Sequence, residues 1–523
     1  MTKNKTYWSG LEELDRTPEF ERMEAQEFPD DRPVDQFLSD DRLQRANTGR
    51  RDFLKFMGFS LTAATLAACE TPVVKSIPYT NKPEEITPGV ANYYASTYYD
   101  GHDFVNVMVK TREGRPIFIK SNGETGIGVV NSRVNSSMMG LYDSARLTKP
   151  RVNGKEADWD AVDDAVAQGM ASAGRKVLLT NTVLSPSLRR SIALAKDAGL
   201  EHIQLDSVSY GAITEAVEAD YGVRAFPEYE FADAECVVSV GADFLGTWGD
   251  SVRYSCGWTS GRAPEKGAMS RLYAFESNMS LTGSNADVRV RVKPSDAGRV
   301  LAALYGELTG VGEAVALDDA TMADVKRASA DLKKAGSAAL VIAGDNNVGH
   351  QRIALAINRF LGSVGQTLLI PSEPGLFQGD DRAYLDLVKS MKAGEVSTLV
   401  VYGVNPAYHG PDAQGFREGL NQVKTSVSTA LFADETGSLC TVLAPRHHWL
   451  ESWDDLMLRP GRMDIAQPTI QPLYDTRHAG ESLLTWIGQP MDWYSFMRAT
   501  QNPSYVEDDM YRDVTWNEAV HNG

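Results

Sequence analysis

The stretch KVLLTNTVLSPSLRRSIALAKDAG, residues 176–199, joins a short apolar run to a longer segment that starts with serine and proline. Residues 176–182 predict a buried strand that ends in a turn. Ser185 then precedes Pro186, and a capping hydroxyl followed by proline in the first turn predicts the start of a helix that runs to Gly199. The stretch therefore predicts a βα unit, the building block of parallel α/β sheets.

The same alternation recurs in residues 235–248, 338–362, 396–408 and 431–445, and Trp248 is predicted to be buried. Their strands are continuous apolar runs, typical of parallel sheets covered on both faces. Ligands of open α/β sheets bind beside the carboxyl ends of the strands. The loops 241–246, 344–349 and 403–406 therefore predict a cleft, with Asp243, Asn346 and Asn405 as polar residues. No complete GxGxxG motif or P-loop is present, so nucleotide binding is unsupported.

A smaller β-rich part precedes these units. Residues 104–110 and 116–120 predict a hairpin with its turn at Glu113 and Gly114. Two short aromatic-rich strands are predicted before it, with turns at residues 88–89 and 100–101. Asp158 is a predicted helix cap, and the last helix is predicted to start near Val514.

Composition limits the possible partners. The chain has 523 residues and a net charge of −18, with 70 acidic and 52 basic residues. This balance argues against nucleic acid as a partner, because nucleic-acid binding needs a basic footprint. No unbroken apolar stretch of about 20 residues occurs, so no helix is predicted to span a membrane.

Arg50 and Arg51 precede an apolar region, residues 56–68, that ends at Cys69. These residues resemble a twin-arginine export signal, and residues 66–69 resemble a lipobox in which Cys69 is lipidated. The alternative is an alanine-rich helix with an inert cysteine. Lipidation would place the protein at the periplasmic side of the bacterial inner membrane, as a peripheral, lipid-anchored protein.

Several segments resemble the molybdopterin oxidoreductases: residues 7–29, 109–124, 140–154, 280–294, 434–455 and 467–484. The resemblance extends over residues 7–487. It implies a multi-lobed α/β fold with Rossmann-like parallel sheets and a small β-rich N-terminal lobe. The expected parts are an extension (1–47), the export signal (48–69), the β-rich lobe (70–155), α/β lobes (156–425), a returning α/β segment (426–490) and a linker (491–523).

Active members of this family hold an iron–sulfur cluster through four cysteines in the N-terminal lobe. Residues 91–104, which match the first three positions, contain no cysteine, and the fourth position falls at Asn131, two residues before Arg133. A cluster needs thiolates, so the resemblance implies that it is lost. No molybdopterin is expected either.

The cysteines of the chain are Cys69, Cys236, Cys256 and Cys440, and no CxxC motif occurs. Cys236 and Cys440 lie in apolar stretches that predict strands, and they are predicted core residues, whereas Cys256 is a candidate free thiol.

Other candidate ligands are weak. Ser185 and Ser187 occupy a strand–helix loop, but helix capping accounts for Ser185. His447 and His448 are adjacent, and on one strand they would point to opposite faces. His350 begins a helix, where it could contact a ligand or cap the helix, and capping is the favoured prediction.

No base–nucleophile arrangement is evident around Asp434, Glu435 or Glu451. We therefore predict no catalytic, cofactor-binding or metal-binding residue in this chain.

The combination of a long extension, an export signal and missing cysteines resembles the B subunits of alternative complex III, a family of quinol:electron-acceptor oxidoreductases. The resemblance implies a non-catalytic scaffold, followed by a half that carries 4Fe–4S and 3Fe–4S clusters. Implied partners are integral-membrane quinol-binding subunits, a multihaem cytochrome c subunit and a terminal oxidase. Two alternatives remain: an active molybdenum reductase of the polysulfide or tetrathionate type, and a periplasmic binding module.

Overall fold

The computed structural model describes residues 89–123, 128–267, 269–459, 461–501 and 509–523. The chain divides into two compact units, Met1–Asn81 and Lys82–Gly523, and every described residue belongs to the second. Arg50, Arg51, Cys69 and the strand predicted before residue 81 lie outside the described residues. Within the described ranges, no helix is long and apolar enough to cross a membrane.

The strands follow in chain order: β1 (Ala91–Tyr99), β2 (Phe104–Arg112), β3 (Arg115–Ser121), β4 (Arg151–Val152), β5 (Lys155–Glu156), β6 (Arg175–Thr180), β7 (Glu201–Gln204), β8 (Glu228–Tyr229), β9 (Cys236–Val240), β10 (Arg271–Glu276), β11 (Val288–Arg291), β12 (Ala339–Ala343), β13 (Leu368–Leu369), β14 (Val396–Tyr402), β15 (Thr425–Ser428), β16 (Val442–Leu443), β17 (Asp454–Arg459) and β18 (Arg462–Ala466).

The α-helices are α1 (Ser132–Ser137), α2 (Met139–Tyr142), α3 (Trp159–Ala171), α4 (Pro186–Asp197), α5 (Gly211–Tyr221), α6 (Ser251–Ser260), α7 (Leu281–Ser284), α8 (Ala297–Thr309), α9 (Asp319–Ala335), α10 (Val348–Leu361), α11 (Asp381–Lys392), α12 (Pro406–His409), α13 (Ala413–Leu420), α14 (Ala479–Trp486), α15 (Trp493–Gln501) and α16 (Asp509–Asn522). Short 3₁₀ turns cover Phe231–Asp233, Pro264–Lys266, Pro294–Asp296, Gly336–Ala338, Gly437–Leu439 and Trp449–Glu451.

The N-terminal lobe is an antiparallel sheet of order β1-β2-β3. Glu113 and Gly114 connect β2 to β3 with φ values of 51° and 75°. Positive φ at both central residues is the geometry of the tight hairpin turn that matches strand twist. The predicted hairpin is confirmed, and so is the turn after β1, where Gly101 has a φ of 97°.

A seven-stranded sheet of order β5-β4-β16-β15-β14-β6-β7 carries the first α/β lobe, and β16, β15, β14, β6 and β7 are parallel. Leu178 and Val400 face one core with α3 and α4, whereas Val177 and Leu399 face another with α11 and α13. Both faces are covered, as the apolar runs predicted, because alternate side chains of a strand point to opposite sides.

A second sheet has four parallel strands in the order β11-β10-β9-β12, and these strands lie between β7 and β14 in sequence. Val238 and Phe275 pack against α8 and α9 on one face, and Val237 and Leu340 join an aromatic cluster on the other. Trp248 belongs to that cluster and is 6% exposed, which confirms its predicted burial.

Helix starts follow the predicted caps. The side chain of Asp158 accepts the Ala161 N–H at 2.9 Å, and Ser185 accepts the Leu188 N–H at 3.1 Å. The prediction for the last helix is wrong at its start, because α16 begins at Asp509 instead of near Val514. Residues 509–513 contain neither proline nor glycine, so no residue stops the helix from extending toward its N-terminus.

Candidate functional site

A cavity of about 400 Å³ lies at the carboxyl ends of β6 and β14, and we call it the strand-end cavity. Chain order reverses here, since β7 lies on one side of β6 and β14 lies on the other. Open α/β sheets bind ligands at such a switch point. The lining comes from the end of β1, from α1 and the start of α14, from the loops after β6, β15 and β16, and from the β17–β18 hairpin. Its residues include Thr97, Asp100, Arg133, Asn181, Ser185, Tyr402, Phe432, Arg446, His447, His448, Asp454 and His478.

Asn181 joins the N-terminal lobe to the sheet beneath the cavity. A Cβ on Gly101 would lie 2.6 Å from Asn181 Nδ2, and a Cβ on Gly403 would lie 2.5 Å from Asn181 Oδ1. Both glycines also have positive φ, so a larger residue would be strained and would clash. This close approach holds the turn after β1 against the strand ends.

Asn131, which the sequence resemblance places at a cluster-ligand position, takes part in a hydrogen-bond network with Asp103. Asp103 is fully buried, and its carboxylate accepts Asn131 Nδ2 at 2.9 Å and contacts His102 Nδ1 at 3.1 Å. Asn131 Oδ1 also accepts the Val134 N–H at 2.9 Å and so caps α1. Burial would raise the pKa of Asp103, but hydrogen bonds from His102 and Asn131 and the charge of Arg133 lower it. Asn131 therefore stabilises the local structure at this position, through its hydrogen bonds to Asp103 and to the start of α1.

His447 and His448 do not lie on a strand, which corrects the prediction that they point to opposite faces of one. β16 ends at Leu443, and both imidazoles line the strand-end cavity. His448 caps the turn Trp449–Glu451: its Nδ1 accepts the Leu450 N–H at 3.2 Å. The ring proton is therefore on Nε2, which donates to the Ser137 carbonyl at 3.0 Å. Burial lowers the pKa of His448 to about 4, so the ring is neutral.

The other cavity histidines are also held by the protein. His447 Nδ1 lies 2.7 Å from Thr476 Oγ1, and the His478 ring stacks on Trp493 at 4.0 Å between centroids. Burial lowers the pKa of both imidazoles. Among the described residues, no group of three or more His, Cys, Asp and Glu side chains has a geometry that could hold a metal ion.

Arg446 is the half-buried cation of the cavity wall. Its guanidinium carbon lies 5.2 Å from the Tyr402 ring centroid, and its Nε is buried without a hydrogen-bond partner. Asp454 lines the same cavity and its Oδ1 accepts the Asp455 N–H at 2.9 Å. Burial and the neighbouring Asp455 carboxylate raise the pKa of Asp454.

Asp455 is fully buried behind this wall and anchors the start of α4. Its carboxylate accepts Ser185 Oγ and Ser187 Oγ, each at 2.6 Å, and the amide of Gln501. The prediction that helix capping alone accounts for Ser185 is therefore incomplete. The hydroxyl caps α4 and also donates to a carboxylate that lies 270 residues away in sequence.

The loops predicted to form a cleft are closed by their own hydrogen bonds. Asp243 accepts the Thr282 N–H at 2.9 Å, Asn346 accepts the Ala212 N–H at 2.8 Å, and Asn405 accepts Thr436 Oγ1 at 2.7 Å. None of these side chains lines the strand-end cavity. These side chains therefore do not face the strand-end cavity, and their polar atoms make hydrogen bonds that order the loops that carry them.

His350 is not the helix cap that the sequence predicts. Asn347 caps α10, and its Oδ1 accepts the His350 N–H at 3.2 Å. The His350 ring forms a short hydrogen bond with Asp345 instead.

The described cysteines are Cys236, Cys256 and Cys440, and all are free. Cys236 is buried on β9 and Cys256 is exposed on α6, as predicted. Cys440 is only half-buried, because it precedes β16 at the end of a 3₁₀ turn. Cys440 thus does not lie on the strand that was predicted for it, but it packs against the core formed with α11 and α13.

The residues present do not fit an iron–sulfur cluster. Such clusters need thiolate ligands, and neither residues 91–104 nor position 131, where the resemblance places the ligands, contains a cysteine. At the switch point of the four-stranded sheet, two loops approach each other closely. A Cβ on Gly344 would lie 2.1 Å from the Gly241 carbonyl oxygen, so the loops after β9 and β12 touch backbone to backbone.

Comparison with known proteins supports the fold. No protein-family model matches the chain. The chain is similar to the menaquinone reductase, molybdopterin-binding-like subunit, of Nitratidesulfovibrio vulgaris, with 23% identity over 506 residues that cover 84% of this chain and 72% of that protein. Its structure is similar to acetylene hydratase from Pelobacter acetylenicus, with a TM-score of 0.61 and 12% identity over 77% of this chain and 73% of that one. The predicted molybdopterin-oxidoreductase-like α/β fold is confirmed.

Proposed function

We propose that this chain is a non-catalytic, molybdopterin-like scaffold subunit of a membrane-associated quinone oxidoreductase. The observation that carries the proposal is the Asn131–Asp103 hydrogen bond of 2.9 Å at the position of a lost cluster ligand. Asn131 also caps α1, so the site is built to order the polypeptide. The relative from Nitratidesulfovibrio vulgaris, described as a molybdopterin-binding-like subunit of menaquinone reductase, supports membership of such a complex.

In its finer form, the proposal assigns the chain to the B subunits of alternative complex III. The scaffold would then hold an iron–sulfur half against integral-membrane quinol-binding subunits and a multihaem cytochrome c subunit. Arg50 and Arg51 would direct export, and lipid on Cys69 would anchor the protein at the periplasmic side of the inner membrane. The sequence resemblance supports these assignments.

The test compares the native complex with variants of this subunit. We expect the purified complex to contain no molybdenum or pterin, as measured by elemental analysis and by fluorescence of oxidised pterin. A strain that lacks the subunit should lose the assembled complex from its membranes. Stoichiometric molybdenum in this subunit would overturn the proposal and favour an active reductase.

A second arm separates assembly from chemistry. Asn131→Ala removes the cap of α1 and should lower the amount of assembled complex, whereas quinol oxidation per assembled complex should stay unchanged. Asn135→Ala, at a half-buried position of the same helix, is the matched control. Normal assembly with lost turnover in Asn131→Ala would show that the site takes part in the reaction.

A further inference from the structure

The strand-end cavity combines two guanidinium groups with aromatic walls. Arg133 reaches it from α1 with a side chain that is 46% exposed, and Arg446 reaches it from the loop after β16. The rings come from Tyr98, Tyr402, Phe432, Trp449 and Trp453. A volume of about 400 Å³ falls within the range of small-molecule sites.

The acidic residues of the cavity are already engaged. Asp100 Oδ1 accepts the N–H groups of His102 and Asp103, each at 2.8 Å, and its Oδ2 accepts Tyr98 Oη at 3.0 Å. Asp454 accepts a backbone N–H, and its raised pKa favours the neutral form. The hydrogen bonds to Asp100 come from neutral donors and leave its negative charge in place, so the lining has two guanidinium groups, Arg133 and Arg446, against one charged carboxylate.

The three histidines of the cavity contribute no charge to it. Burial lowers the pKa values of His447, His448 and His478, so their rings are neutral. The charged groups of the lining are thus Arg133, Arg446 and Asp100, because the raised pKa of Asp454 favours its neutral form. Arg133 is partly balanced, because its Nε lies 3.5 Å from Asp103.

Two buried donors in the wall have no hydrogen-bond partner: Arg446 Nε and Trp449 Nε1. Buried polar groups are nearly always paired, and an exception needs an explanation such as a bound molecule. Both side chains line the strand-end cavity.

We propose that the strand-end cavity binds a small planar organic anion, of the aryl carboxylate class, with its carboxylate on Arg446 and its ring between the aromatic walls. Guanidinium groups bind carboxylates through two parallel hydrogen bonds, and aromatic side chains favour planar rings at stacked or edge-to-face geometry. The site goes beyond the scaffold role, since a bound anion would stabilise the junction of the lobes without any reaction.

Calorimetry on the full chain with benzoate, benzamide and inorganic phosphate tests the proposal. Benzoate and benzamide share their shape but differ in charge, and phosphate has the charge without the ring. We expect benzoate to bind about tenfold more tightly than either, the factor expected for one charge-assisted hydrogen bond. Equal affinity for benzamide would overturn the role of charge, and equal affinity for phosphate would overturn the role of the ring.

Substitutions locate the site. Arg446→Gln should reduce benzoate affinity about tenfold and leave benzamide affinity unchanged. Arg133→Gln, at a more exposed position, should give a smaller loss in the same direction and serves if the first variant does not fold. Arg299→Gln is the matched control, because this side chain is 56% exposed and pairs with Asp296 at the start of α8, outside the cavity lining. Unchanged benzoate binding in both cavity variants would overturn the assignment.

Discussion

Arg146 and Glu451 form a bidentate ion pair in which neither side chain is exposed to solvent. Arg146 Nη1 lies 2.9 Å from Glu451 Oε1, and the second contact of the pair is shorter still. Glu451 also accepts the N–H groups of His448 and Leu473, at 2.8 and 2.9 Å. The pair therefore ties the segment before β4 to the turn that carries the cavity histidines.

Removing one partner of this pair should strongly destabilise the fold. Arg146→Met leaves Glu451 buried without its cation and should cost about 3–5 kcal/mol in the free energy of unfolding. The double variant Arg146→Met/Glu451→Leu should recover much of that loss, because two apolar side chains leave no buried charge. Urea denaturation measures both values, and a loss below about 1 kcal/mol in the single variant would contradict the burial of the pair.

The contribution of His448 to stability should be lost as pH drops from 6.5 toward 4. His448 has its pKa lowered to about 4 by burial, from an unfolded value of 6.5. Between these values the unfolded state binds a proton that the folded state does not, so stability rises with pH in this window. At about 1.4 kcal/mol per unit, His448 alone contributes about 3 kcal/mol of this dependence.

Thermal unfolding at several pH values checks this dependence in wild type and in His448→Gln. The variant should have a flatter profile between pH 4 and 6.5. His521→Gln, at an exposed position of α16, is the control and should keep the wild-type profile. An equal slope in wild type and His448→Gln would show that the ring is not buried as a neutral group.

Asp455 should be more important for stability than any exposed carboxylate. Asp455→Ala leaves Ser185 Oγ, Ser187 Oγ and the Gln501 amide without their acceptor. Each unsatisfied buried group costs about 1–3 kcal/mol, so we expect a loss of about 3–5 kcal/mol. Asp164→Ala, at an exposed position of α3, should change stability by less than about 0.5 kcal/mol in the same denaturation experiment.

Substitutions of Trp248 and of the loop residues after β9, β12 and β14 test whether these loops serve structure. Trp248→Ala should cost about 3–5 kcal/mol and lower the amount of assembled complex. The triple variant Asp243→Ala/Asn346→Ala/Asn405→Ala should also be destabilised, by about 1 kcal/mol for each lost hydrogen bond. Turnover per assembled complex should stay constant in both. A well-assembled triple variant without turnover would place the reaction at these loops.

The sequence alone determined the fold class and the local elements. Apolar runs identified strands such as β6 and β14, Ser185 and Asp158 identified helix starts, and Glu113–Gly114 identified the hairpin. These signals are local, because a strand run, a cap or a tight turn depends on neighbours within a few residues. The missing thiolates at Asn131 and in residues 91–104 were likewise visible without coordinates, through the family resemblance.

Tertiary structure decided the site. The strand-end cavity draws on Asp100, Asn181, Tyr402, Arg446 and His478, whose separation along the chain carries no periodic signal. The loops of Asp243, Asn346 and Asn405 have the composition of a ligand cleft. Each of these side chains nevertheless accepts a hydrogen bond from a backbone or side-chain donor elsewhere in the fold. Whether a polar side chain is free for a ligand depends on which distant donors and acceptors the packing brings to it, and only the folded chain sets those distances.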